Sequence, residues 1–133
     1  MRRRILDTCV LIGHWRRKQS RLRPTSQADV AAWADELVQL YDTNAIVTPV
    51  RLEFLAGTRS RDELVLAEAY LGQFHVIDNG DVVKDDWLAA ERIARRAPRD
   101  GKARDLGDCL IRAIAERLRY EVRTSDTAFP KRP

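Results

Sequence analysis

Short apolar runs alternate with longer segments of helical period along the whole chain, and that alternation limits the folds open to it. Arg3 to Leu6 is a short strand-like run ending at Asp7. Val30, Trp33, Ala34, Leu37, Val38 and Tyr41 recur at helical spacings, which predicts a helix over 26–41 opened by Ser26 with Asp29 three residues on. Ala45 to Thr48 reads as a second strand. Pro49 suits the first turn of a helix that stops near Gly57, and Ser60 with Glu63 opens another that runs to about Leu71. His75 to Asp78 is a third strand, closed by the Asn79-Gly80 turn. Residues 81–97 are expected as helix, 98–101 as a polar loop, 106–118 as an amphipathic helix and Glu121 to Thr124 as a final strand. Strands alternating with helices imply βαβ units. Right-handed crossovers then give a three-layer α/β/α fold with a mainly parallel central sheet flanked by helices.

A chain of 133 residues fits one domain, taken as 1–133, and buries enough surface to fold without a staple. Cys9 and Cys109 are too few for a disulfide framework, and reduced thiols in a cytoplasmic protein are expected. Two His and two Cys at unrelated spacings do not make a zinc site, so His14 and His75 are not nominated as catalytic. No apolar run approaches the ~18 residues of a membrane span, and neither secretion nor membrane insertion is expected, since no apolar stretch of signal-peptide length follows the basic start. The formal net charge is +4, and most of the 24 basic residues are Arg, whose planar fork of donors suits phosphate. The composition therefore leans towards nucleic acid as a partner.

Ligands of such sheets bind beyond the carboxyl ends of the strands. Four acids are expected there. Asp7 ends the first strand, Glu53 follows the second, Asp108 opens the helix at 106–118, and Asp126 comes two residues after the last strand. Each has an ordinary reading. Asp7 can cap a helix, Glu53 can be a solvated helix acid, Asp108 can be the third residue of a cap begun by Asp105, and Asp126 can be a turn residue. Their shared placement favours a common site. Carboxylates brought together repel unless protonated or bridged by a cation. Oxygen donors without His or Cys select Mg2+ or Mn2+, which readily accept phosphate oxygens. Thr8 can hydrogen-bond a water in such a site or cap a helix. Arg16, Arg17, Lys18, Arg21 and Arg23 form a basic run, expected in a loop, that is either solvated or in contact with phosphate or a partner. Trp15, Trp33 and Phe54 are read as packing residues.

Those acids carry a resemblance. ILDTCVLI resembles the opening Asp motif of PIN-domain nucleases, and TPVRLEFLAG resembles their second motif, with its Glu on the helix after strand two. DCLIRAIA matches the third motif at Asp108, and TSDTAFP, which starts at Thr124, resembles the closing Thr-x-Asp-x-x-Phe segment. The four motifs fall in the family's order over residues 5–130. The compact size is similar to that of VapC toxins from bacterial type II toxin–antitoxin pairs. The resemblance implies a Mg2+- or Mn2+-dependent endoribonuclease acting on structured RNA such as tRNA or a ribosomal RNA loop. It also implies a homodimer held inactive by an antitoxin, with no membrane association. Asp7, Glu53, Asp108 and Asp126 carry over as the catalytic, metal-binding acids, although the position of Asp126 more often tunes the site than ligates. Thr8, Cys9, Asp105, Arg112 and Thr124 would surround them. Cys9 stands where the family usually has Asn or another small polar residue, and Arg112 replaces a small residue in the third motif. Asp105 competes with Asp108 for the third role, and the fit of DCLIRAIA favours Asp108.

Two other classes remain. One is a non-catalytic RNA- or partner-binding module on the same fold. The other is a receiver-like phospho-acceptor, which wants paired acids after the first strand and a Lys after the last; neither is present.

Overall fold

The computed structural model describes residues 3–21, 26–96 and 105–124. Among them, β1 (Arg4–Leu6) leads into α1 (Thr8–Arg21) and α2 (Gln27–Tyr41), then β2 (Ala45–Ile46), α3 (Thr48–Ala56) and α4 (Arg61–Leu71). After β3 (His75–Val76) come α5 (Lys84–Arg96), α6 (Leu106–Leu118) and β4 (Glu121–Arg123). Among the described residues all pairing is parallel, as expected: β1 with β4, and β2 with β3. The strands form two two-stranded ladders rather than one continuous sheet. At the seam the Thr43 hydroxyl donates to the Arg4 carbonyl at 2.8 Å and accepts the Ala45 N–H at 3.1 Å. A side chain thus takes the place of a ladder bond between β1 and β2. Helices flank this small sheet in the α/β arrangement that the alternation predicts.

The third strand ends at Val76 rather than Asp78, because the Asn79 N–H turns back to the Val76 carbonyl at 3.1 Å. Three further differences from expectation have a visible cause. The basic run is helical: Arg16, Arg17 and Lys18 lie in α1, and Arg23 lies outside the described residues. Val10, Leu11, His14 and Trp15 are buried at helical spacings, so the charges occupy the outer face of an amphipathic helix. Thr48 starts α3 instead of ending β2, because the buried Asp78 carboxylate takes both its N–H (3.0 Å) and its hydroxyl (2.6 Å). Residues 81–83 precede α5 because Asp86 accepts the Val83 N–H at 3.0 Å, which starts the helix at Lys84. The expected loop at 98–101 lies outside the described residues. Ser26 and Ser60 cap α2 and α4 as their spacing predicts, accepting the N–H of Asp29 and of Glu63.

The core joins strand residues Ile5, Leu6 and Ile46 to helix residues Val30, Leu37, Val50, Ile111 and Ile114, all essentially inaccessible. Trp15 anchors an aromatic cluster across four helices, with ring centres 5.6 Å from Trp33, 5.4 Å from Phe54 and 5.0 Å from Tyr70. The packing reading of Trp15, Trp33 and Phe54 therefore holds, and the cluster fixes α3 against α1. An ion pair between the buried Asp86 and the partly exposed Arg117 joins α5 to α6, with Arg117 donating to both oxygens of Asp86 at 2.7 and 2.9 Å.

His14 is buried beside the cluster, with Nδ1 2.8 Å from the Tyr70 hydroxyl and Nε2 3.3 Å from the exposed Glu36. Burial pushes its imidazole below the ordinary 6.5, against the opposing pull of Glu36. The unfolded chain then takes up this proton at higher pH than the native one. Stability is full above pH 6.5 and declines as pH falls through the window below it. Denaturant midpoints measured across that window are expected to drop for the wild type and to stay flatter for His14→Gln.

Candidate active site

Asp7 leaves β1 at its carboxyl end, where its N–H donates to the Arg123 carbonyl at 2.9 Å and extends the β1–β4 ladder by one bond. The same residue opens α1: its carbonyl accepts the Val10 N–H at 3.1 Å, and its side chain accepts the Thr8 N–H at 2.7 Å. Both readings of Asp7, helix start and cleft acid, thus describe one residue. Glu53 sits on α3, whose start is tied to Asp78 after β3 and whose next residue, Phe54, is locked in the aromatic cluster. The Thr8 hydroxyl donates to Glu53 Oε1 at 2.5 Å, so Thr8 does more than begin a helix. Asp108 lies in the first turn of α6, half-buried, with both carboxylate oxygens 3.3 Å from Arg112 Nε.

These three acids open on one cleft of about 520 Å3, together with Thr8, the exposed Cys9, Asp105 and Arg16. Asp105 holds the N-cap position of α6, but its side chain makes no capping bond. Thr124 is buried directly after β4. Asp126 lies outside the described residues. Arg112, open in the sequence between leaning over the site and facing solvent, is paired to Asp108. Two participants were not singled out as such from the sequence. Arg16 reaches the cleft only because the basic run is helical, and Gly107 packs against Glu53. A glycine in the first turn of an otherwise strong helix was the available signal for the second.

A family model for the PIN domain matches residues 4–133. The chain belongs to the PIN-domain family. PIN domains are generally nucleases and typically use divalent metals. No curated protein matches the chain.

In this PIN domain the cleft penalises the charge of Asp7, through burial first and neighbouring acids second. Asp7 is only 8% exposed, and burial pushes its carboxyl above the ordinary 3.8. The Thr8 N–H opposes that rise, Asp108 adds to it, Arg112 draws it down, and Glu53 adds a smaller push. Among the described residues, no three His, Cys, Asp or Glu side chains converge into a ready-made metal cage. Mg2+ does not need one, since one or two carboxylates with retained waters are its usual protein ligands. The donor set of hard oxygens, with a buried acid penalised for its charge, fits such an ion. No helix among the described residues is long and apolar enough to cross a membrane.

Proposed function

We propose that this PIN domain is a Mg2+- or Mn2+-dependent endoribonuclease that cleaves structured RNA as the toxin of a toxin–antitoxin pair. The observation that carries the reading is the opening of Asp7, Glu53 and Asp108 onto one cleft inside an Arg-rich chain. Asp7 and Asp108 would hold the cation, and Glu53 would complete the oxygen set. When bound, the ion acidifies a water and neutralises charge at the phosphodiester. Thr8 keeps Glu53 turned into the cleft. Arg16, exposed at the rim, attracts the RNA backbone. Arg112 neutralises Asp108 until a stronger cation competes for it. Control by a separately encoded antitoxin, a homodimeric state and action in the cytoplasm belong to the same proposal.

The Asp108–Arg112 pair also favours a second reading, a non-catalytic RNA- or partner-binding module in which Arg112 occupies the metal's place. Brief induction in cells, followed by mapping of RNA ends, separates the two. The enzyme reading expects new ends at one or a few positions in a structured RNA, lost with Asp108→Asn. Identical end profiles with and without induction would contradict it and favour the binding module.

A further inference from the structure

Gly107 lies inside α6, with a backbone free of the left-handed conformations that call for glycine. Alanine is the better helix former there, so helix formation does not explain the residue. Its surroundings do. A Cβ at position 107 would lie 2.6 Å from Glu53 Cδ and 3.0 Å from Oε1, with Oε2 closer still. The three nearest atoms all belong to the Glu53 carboxyl group, the same group that accepts the Thr8 hydroxyl. Real Cβ atoms do not come so close, and the far end of a Glu side chain is what would give way.

We infer that Gly107 is a positioning residue for Glu53. The missing side chain lets the carboxylate sit between Thr8 and the first turn of α6, beside the positive end of the helix dipole. Any side chain at 107 pushes the carboxylate out of this seat and breaks its bond to Thr8. The contact itself is independent of chemistry, whereas its effect on cleavage rests on the nuclease reading above.

Two measurements on Gly107→Ala test this separately. The first is a stability cycle. Thr8→Val lowers the denaturation midpoint of the wild type, because it removes the donor to Glu53. In the Gly107→Ala background that bond is already gone, and Thr8→Val is expected to cost little further. An equal cost in both backgrounds overturns the inference. The second is RNA cleavage with Mn2+. Gly107→Ala is expected to lower kcat by about tenfold or more with KM nearly unchanged. Adding it to Glu53→Ala should change the residual rate by less than about twofold. A full Gly107→Ala loss that persists in the Glu53→Ala background overturns the positioning role. Should Gly107→Ala fail to fold, the double variant with Glu53→Ala is expected to fold, because the clash is removed, and its failure would count against the inference. An inactive wild type overturns the nuclease reading alone, and the stability cycle still decides for or against Gly107.

Discussion

Replacing Asp7 with Asn is expected to stabilise the metal-free protein while removing RNA cleavage. The two effects share a cause. Asp7 is a buried carboxylate facing Asp108 and Glu53, and its raised pKa means that the folded state disfavours its charge. For an acid shifted upward, the native state binds the proton more tightly than the unfolded chain does. Stability is therefore lost as pH rises through the window above 3.8, and it stays lost at neutral pH. Asn has nearly the same shape, can still accept the Thr8 N–H and carries no charge. The variant should melt a few degrees higher at neutral pH without divalent ions, with the difference vanishing in acid. Added Mn2+ should raise the wild-type melting temperature and leave the variant nearly unmoved. Cleavage should fall by at least about a hundredfold, equivalent to about 2.7 kcal/mol at 1.36 kcal/mol per factor of ten. A variant that melts lower than the wild type at neutral pH would show that Asp7 is a structural cap and not a strained site acid.

Arg117→Ala is expected to be among the most damaging single changes to the fold outside the hydrophobic core. Asp86 is 1% exposed and relies on Arg117 for two charged hydrogen bonds. Removing the partner leaves a carboxylate in the α5–α6 interface with only the Val83 N–H to hold it. Breaking a buried pair in this way costs about 3–5 kcal/mol, and the partial exposure of Arg117 places the expected loss at about 3 kcal/mol. Replacing both partners, Asp86→Leu with Arg117→Met, should recover part of that loss but not the Val83 cap. Denaturant melts of the single and double variants measure this. Below its unfolding midpoint, Arg117→Ala should cleave RNA at the wild-type rate, since Asp86 and Arg117 lie away from the cleft. A selective loss of cleavage in the folded variant would tie that interface to the site.

These two acids show how far the chain could be read in advance. Asp7 was legible because it follows an apolar run and opens a recognisable motif, and Glu53 and Asp108 because they fall behind the carboxyl edge of a parallel sheet. The helices at 27–41 and 61–71 were legible from their stripes and caps, and the helix at 106–118 from its stripe alone. Asp86 was not, because nothing local distinguishes it from Asp85; its burial depends on a guanidinium on another helix. Asp78 read as the end of a strand and proved to anchor the start of α3. The helix carrying Arg16 to Lys18 was obscured by charge, since its apolar face holds Val10, Leu11, His14 and Trp15 while its basic face suggests a loop. The Gly107–Glu53 contact joins two helices far apart in sequence, and no pattern in either segment announces it.

Cleavage of a structured RNA by the purified protein, with Mn2+ and with chelator, decides whether the Asp7 cleft is a metal-dependent nuclease site. Discrete products are expected with Mn2+, none with chelator and none from Asp7→Asn in either condition. Products that persist with chelator and with Asp7→Asn would contradict that assignment.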